Sequence, residues 1–332
     1  MRIAVIGAGA LGCTFAALLD KAGHEVLLVA RAAQLEAVSA SGVQLSGGFG
    51  GWRTTRLVAV PTLEEPVDLA LLTVKAQDAS AALSEHGASL AGTPVLVVQN
   101  GLDGVRTADE ALPDSPCFGA LSIIAASYLE PGSVTVTTPA TTYLGRGTGE
   151  PDDEVLRFAA VLGEAFPVRA IGNFVGAQWT KLVVNQLNAL PAVTGLSVQA
   201  VIANRRLRLV MVRSMREAVR AGIARGIRFG ALQGLSDRNL RLFARLPVVV
   251  GQVLPLLFAA RMGSVPNPGS TLQSIKRGQR TEIDHLNGAV VREARVAGFS
   301  APVNAALTAL VHEVEESGEF LAPAEVLARL RR

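Results

Sequence analysis

Short apolar runs alternate with helix-period stretches through the first half of the chain. Residues 2–6, 25–30, 68–74 and 94–99 are brief and almost wholly apolar, the pattern of strands buried on both faces of a parallel sheet. Residues 10–21, small and apolar, read as a helix between the first two. Strand and helix in alternation predict an α/β domain, a parallel sheet covered on both sides. The Gly-rich stretch 41–55 predicts a turn and hairpin, and residues 133–138 and 142–145 predict further strands near the sheet edge.

The texture changes near residues 170–173. Beyond it the chain is mostly helical pattern, over residues 178–190, 204–226, 237–261, 271–297 and 301–316, with breakers between. The expectation is two domains: residues 1–171, Rossmann-like and nucleotide-binding, and residues 172–332, all-helical, with a ligand in the cleft between them. The length of 332 residues agrees with two domains.

Composition narrows the class. Hydrophobic residues make up 49% and charged residues 18%, too apolar for a disordered chain. The longest uncharged stretches, residues 182–204 and 246–260, are respectively interrupted by polar residues and too short to span a bilayer, so no membrane segment is expected, and the second reads as core or a subunit interface. The N-terminus reads as a strand rather than a signal peptide, and two cysteines make neither a disulfide framework nor a zinc site, which fits a cytoplasmic protein. The four histidines lack metal-ligand spacing. The arginine-rich stretch 205–228 is interrupted by Glu217 and backed by apolar residues, the mark of a solvated face rather than a nucleic-acid site.

Gly7-Ala8-Gly9-Ala10-Leu11-Gly12 follows the first predicted strand and opens the first predicted helix. In that context the glycines serve a dinucleotide: Gly7 for the tight turn, Gly9 for approach to a pyrophosphate, Gly12 for helix–strand packing. The second strand ends in Val29-Ala30-Arg31, with no acid for a ribose 2′-hydroxyl; a guanidinium there suits a 2′-phosphate, so NADP(H) is expected. Lys75 and Asn100 follow the next two strands, where ligands of open α/β sheets gather. The chain has four lysines against twenty-seven arginines, which draws notice to each lysine. Lys181, Asn185 and Asn188, at i, i+4 and i+7, predict one polar helix face in an apolar segment, suited to an anionic or carbonyl substrate. Asn267 and Ser270 stand at a predicted helix start, and Glu282, expected three turns down that helix, is a candidate partner for Lys181.

These motifs together resemble the ketopantoate reductase family. The resemblance covers nearly the whole chain: the Gly7–Gly12 turn, Arg31, Lys75, Gln99-Asn100-Gly101, Trp179-x-Lys181-x-x-x-Asn185, Asn267-x-x-Ser270, and Thr281-Glu282-Ile283-Asp284-x-x-Asn287-Gly288. It implies NADPH-dependent reduction of 2-dehydropantoate to (R)-pantoate in pantothenate synthesis, with no metal. Lys181 would be the catalytic acid, and Glu282 would orient it and touch the reacting group or the ribose. Asn185, Asn188, Asn267 and Ser270 would hold the substrate, and Asn100 and Ala126 would join the glycine turn, Arg31 and Lys75 on the cofactor. The resemblance allows a homodimer. Ala189, Gln199 and Ser274 depart from the family pattern at positions near the substrate, so a related reductase of another 2-oxo acid is the alternative.

Overall fold

A computed structural model describes every residue except Ser264, Arg331 and Arg332, together with the side chain of Leu129. The chain divides into two compact units, Met1–Phe174 and Val175–Arg332. Ser264 lies within the predicted breaker at residues 262–269.

The first unit holds twelve strands: β1 (Arg2–Ile6), β2 (Glu25–Val29), β3 (Gln44–Gly47), β4 (Trp52–Arg53), β5 (Val58–Val60), β6 (Leu69–Leu72), β7 (Val95–Val97), β8 (Cys117–Ser122), β9 (Ala125–Glu130), β10 (Ser133–Thr138), β11 (Thr142–Gly145) and β12 (Val168–Ala170). Eight form one sheet in the order β12-β11-β8-β7-β6-β1-β2-β5, parallel throughout except for the β8–β11 pair. This is a Rossmann-type sheet. The order runs outward from β1 through β2 to β5, then returns to β6 on the other side of β1. The carboxyl end of β1 is therefore the topological switch point, where such sheets open a crevice for ligands.

The apolar runs form these strands because both faces are covered. Ile3 and Val5 of β1 join one buried cluster with Phe15, Leu19 and Phe118, while Ala4 and Ile6 join another with Leu72, Leu83 and Val97. Alternate residues of a strand point to opposite faces, so a continuous apolar run is what two covered faces require. The predicted hairpin at residues 41–55 is present as the antiparallel pair β3–β4. The strand at residues 133–138 departs from expectation. It is β10, which pairs with β3 and β9 in a separate four-stranded sheet rather than at the edge of the large one.

The second unit is helical. Its long helix Arg205–Ala224 turns Leu207, Met211, Met215 and Val219 inward, all fully buried, and packs against helices Asn287–Val296 and Pro302–Ser317. Two expected helices are broken. Residues 237–261 form Asp237–Arg245, Val248–Gly251 and Val253–Arg261, because Pro247 lacks the N–H that a continuous helix needs. Within residues 246–260, Val249, Val250, Val253, Leu256 and Leu257 are exposed while Gly251, Pro255 and Phe258 are buried, so one face of the stretch is core and the other is not. Residues 271–297 also divide. Helix Gly269–Lys276 ends before Gly278, whose φ of +63° is left-handed, and a short 3₁₀ turn, Ile283–His285, precedes helix Asn287–Val296. Among the described residues no helix is long and apolar enough to cross a membrane.

A polar network lies inside this apolar unit. Ser214 Oγ donates to Gln186 Oε1 at 2.9 Å and lies 3.0 Å from Asn304 Oδ1. Asn287 Nδ2 donates to Asn304 Oδ1 at 2.9 Å, and Asn304 Nδ2 donates to Glu217 Oε2 at 2.7 Å. Gln186, Ser214, Asn287 and Asn304 are fully buried, so each unmet bond would carry its whole desolvation cost. Asn304→Ala is expected to lower the unfolding free energy by about 2–3 kcal/mol, because it strips partners from Asn287 and the Glu217 carboxylate together. Denaturant unfolding followed by circular dichroism checks this, and a loss below about 0.5 kcal/mol would show the network to be dispensable.

Candidate active site

The glycine turn sits at the switch point. Gly7, directly after β1, has φ +111°, and a Cβ there would meet Val74 Cγ1 and N at 2.8 Å. A Cβ on Gly12 would stand 1.9 Å from the Gly7 carbonyl, so only glycine lets helix Ala10–Lys21 lie this close to the turn. A Cβ on Gly9 would meet nothing within 4 Å: the backbone there faces open space. Gly9 is the N-cap of that helix and supplies no side-chain cap, which leaves the first-turn N–H groups of Ala10, Leu11 and Gly12 without helical partners. Open backbone, free N–H donors and the positive end of a helix dipole make a cradle that fits a pyrophosphate. Thr73 steadies it, its hydroxyl donating to the carbonyls of Ile6 at 3.0 Å and Gly7 at 2.7 Å. Thr73 is not legible as a site residue in the sequence, since a threonine at a strand end carries no distinctive pattern.

Arg31 follows β2 as expected, with its side chain 68% exposed, and forms an ion pair with Glu85. Lys75 is the N-cap of the short turn Ala76–Asp78 after β6, and Asn100 lies in the loop after β7 just before Gly101, whose φ is +86°. Gln99 braces this loop by donating to the Val74 carbonyl at 2.9 Å. Ala126 lies elsewhere in the unit, on β9 of the smaller sheet opposite Val136.

The second unit holds the other predicted residues. Helix Phe174–Asn185 carries Lys181 and is anchored on both sides of it. Thr180, fully buried, donates to the carbonyls of Gly176 at 3.0 Å and Gly230 at 2.7 Å. Past the helix end, Gln186 donates to the Leu182 carbonyl at 2.9 Å and accepts from Ser214. Removal from water pulls the Lys181 ammonium down from its ordinary value to about 8, and the nearby Glu282 carboxylate works against that fall. Asn185 has a buried amide nitrogen, Nδ2, with no hydrogen-bond partner, a donor fitted to a ligand oxygen.

Asn188 lies beyond the α-helix that carries Lys181 and Asn185. The helix ends at Asn185, and the chain tightens through i→i−3 bonds from Gln186, Leu187 and Asn188 to the carbonyls of Val183, Val184 and Asn185. Asn188 stands at the start of helix Ala189–Thr194, beside Gly269. Gly269 has φ +72°, and a Cβ on it would lie 2.6 Å from Asn188 Oδ1, so the approach of Asn188 requires glycine.

Asn267 and Ser270 flank that glycine, Ser270 being exposed. Asn267 Oδ1 accepts from Gly269 N–H at 2.8 Å, and Asn267 N–H donates to Gln199 Oε1 at 2.9 Å. Gln199 Nε2 also donates to the Val265 carbonyl at 2.8 Å. Both ends of the Gln199 amide are thus spent on shaping the loop before helix Gly269–Lys276.

Glu282 stands beyond that helix rather than three turns down it, because the helix stops at Lys276. Its own carbonyl accepts from His285 N–H at 2.9 Å and Leu286 N–H at 3.1 Å. Thr281 N–H donates to Glu315 Oε1 at 2.6 Å. Asp284 Oδ1 lies 3.0 Å from His312 Nε2, and His312 Nδ1 lies 2.8 Å from Glu315 Oε2. Burial pulls the His312 pKa down, but hydrogen bonds to Asp284 and Glu315 outweigh it and leave the imidazole above its ordinary value. Burial likewise raises Glu315, yet hydrogen bonds from Thr281 and His312 hold it below the usual carboxylate range. Neither residue stood out in the sequence, since they come some thirty residues after Glu282.

Among the described residues no group of His, Cys, Asp or Glu is arranged to hold a metal ion. The chemistry on offer is a backbone cradle for a dinucleotide in one unit and, in the other, a desolvated ammonium beside a carboxylate and unspent amides.

Residues 3–149 match the family described as ketopantoate reductase PanE/ApbA, and residues 173–315 match its C-terminal part. A 2-dehydropantoate 2-reductase of Pyrococcus horikoshii is 28% identical over 322 residues, covering 96% of this chain and 99% of the relative. One from Archaeoglobus fulgidus is 28% identical, with 95% and 98% covered. The crystal structure of a PanE/ApbA family ketopantoate reductase from Ralstonia eutropha JMP134 superposes with a TM-score of 0.82 at 30% identity, over 95% of this chain and 99% of that one. A D-mandelate dehydrogenase bound to NADH and anilino(oxo)acetate shares the fold, with a TM-score of 0.80 at 22% identity over 96% and 99% of the two chains. With both of its parts matched in order along the chain, this oxidoreductase belongs to the ketopantoate reductase family.

Proposed function

We propose that the protein reduces 2-dehydropantoate to (R)-pantoate with NADPH, with Lys181 as the general acid. The observation that carries this reading is the Lys181 ammonium, shifted by desolvation to about 8 and flanked by Glu282 and the unpartnered amide of Asn185. NADPH, when bound, supplies the hydride to the keto carbon. The chain's own residues do the rest. Lys181 Nζ donates a hydrogen bond to the keto oxygen, stabilises the negative charge that develops there, and gives up a proton to make the hydroxyl. A pKa near 8 suits a general acid, because the amine is still mostly protonated at neutral pH yet yields its proton more readily than an ordinary lysine.

Glu282 keeps the ammonium charged. Asn185 Nδ2 would donate to a substrate oxygen. Asn267 Oδ1 is already used by Gly269, so its amide nitrogen is the group left to offer, beside the Ser270 hydroxyl and Asn188. The cofactor would rest on the Gly7–Gly12 cradle, with Arg31 on the 2′-phosphate and Lys75, Asn100, Ala126 and Glu282 as further contacts. In this reading residues 1–171 serve the cofactor and residues 172–332 the substrate. A homodimer through the helical part accompanies it, with the exposed apolar residues Val249, Val250, Val253, Leu256 and Leu257 in the interface.

One observation favours a second reading, a reductase of another 2-oxo acid in the same family. Gln199 occupies a position where the family offers an asparagine to the substrate, but its amide is committed at both ends to the loop of Val265 and Asn267. A substrate site lacking that contact would suit a different 2-oxo acid.

NADPH oxidation with ketopantoate and a panel of other 2-oxo acids decides between the two. Lys181→Ala is expected to lower kcat/KM about 10²–10⁴-fold while leaving the NADPH dissociation constant unchanged. Because the acid must carry its proton, wild-type kcat/KM should fall as pH rises through about 8. A profile flat to pH 10 would remove Lys181 from the proton transfer.

Arg31→Ala should weaken NADPH binding about tenfold and leave NADH binding unchanged, by fluorescence titration; equal effects on both would end the preference for NADP(H). Sedimentation analysis tests the dimer, and a lone 34.6 kDa species at micromolar concentration would retire it.

A further inference from the structure

We propose that Glu315, oriented by His312, is a positioning residue for Glu282: it grips the backbone beside Glu282 so that the carboxylate stays where its charge acts on Lys181. The proposal rests on the reading of Lys181 as the acid and adds residues outside the sequence motifs to the same site.

Glu282 lies in a connection, not in a helix. The chain leaves helix Gly269–Lys276 at Gly278 and does not become helical again until Asn287, apart from the single turn Ile283–His285. Connections of this kind are the looser parts of a fold unless they are tied down. Here the ties are specific. One residue before Glu282, the Thr281 N–H donates to Glu315 Oε1 at 2.6 Å. Two residues after it, the Asp284 carboxylate meets His312 Nε2 at 3.0 Å. His312 Nδ1 closes the arrangement on the other Glu315 oxygen at 2.8 Å. Both fastenings come from one rigid element, helix Pro302–Ser317, one turn from its end.

The charges fit the same purpose. A protonated imidazole donates from both nitrogens and so joins Asp284 to Glu315, whereas a neutral one can donate to only one of them. The groups facing His312 are Asp284 from the 3₁₀ turn and Glu315 from its own helix; Arg292, on the neighbouring helix, donates to the Asp284 carbonyl at 2.7 Å. Glu282 is the charge that acts on Lys181. A shift of the Glu282 backbone by an ångström or two would weaken that action, since Coulomb energy falls with distance and is screened steeply as water enters.

The test reads the Lys181 pKa directly in the substrate-free protein, by pH-dependent acylation with trace acetic anhydride and mass spectrometry of the Lys181 peptide. With only four lysines in the chain, exposed Lys21 and Lys276 serve as internal references. Glu282→Gln sets the scale and is expected to lower the Lys181 pKa by about one unit. Glu315→Ala should produce about half of that shift or more. Glu315→Gln keeps an oxygen for the Thr281 N–H and should return Lys181 close to the wild-type value.

If Glu315→Ala does not fold, Glu315→Asp carries the test, because it keeps the charge but withdraws the oxygen by one methylene; it too should lower the Lys181 pKa. An unchanged Lys181 in these variants, with Glu282→Gln shifted, would overturn the proposal. So would a Glu315→Gln shift as large as that of Glu315→Ala, which would assign the effect to charge rather than position. Because no substrate is needed, a wild-type protein that reduces no 2-oxo acid would count against the proposed reaction alone.

Discussion

In the helical unit the desolvation of the Lys181 ammonium is the interaction on which the proposed chemistry depends. Removing a charge from water costs several kcal/mol unless partners replace the lost hydration. Lys181 sits on a helix whose neighbours Leu182 and Val183 are fully buried, and its lowered pKa records the cost that remains. The Glu282 carboxylate acts in the opposite sense, raising the Lys181 pKa, from a connection with little regular structure of its own.

Two sets of hydrogen bonds tie down the segments that carry these two groups. Thr180 and Gln186 pin the Lys181 helix on either side of the lysine, one to the Gly230 carbonyl and the other to Ser214. Ser214 in turn meets Asn304, which accepts from Asn287 at the start of the helix after Glu282. The segments bearing the lysine and the carboxylate are thus tied through one buried network. Buried amides and hydroxyls cost more than they return unless they are partnered, and in this network Asn287 Oδ1 is left without a partner.

The cofactor side follows a different economy. Its cradle is made by leaving atoms out: three glycines, an uncapped helix end and open space over Gly9. Nothing there has to be held against a desolvation cost, since the donors are backbone N–H groups already fixed by the sheet and helix. Arg31 is the exception, a solvent-exposed side chain whose pairing with Glu85 is of the weak surface kind and can yield to a phosphate.

This contrast explains what could be read directly. Residues 2–12 announce a strand, a glycine turn and a helix in unbroken succession, and the local chain forms them with helix Ala10–Lys21 at the expected limits. Period and glycine spacing are local properties, so they are legible in a line of letters. Lys181 and Asn185 were legible for the same reason, one helical turn apart on one helix. The tertiary structure decided the rest. The α-helix of Lys181 ends at Asn185, short of Asn188, and the end of a helix at Lys276 put Glu282 in a loop. It joined Glu315 and His312 to that loop from some thirty residues away. Helical periodicity cannot register where a helix stops or a contact across thirty residues. Both are settled when buried polar groups find partners, and which partners are within reach depends on the packing of the whole unit.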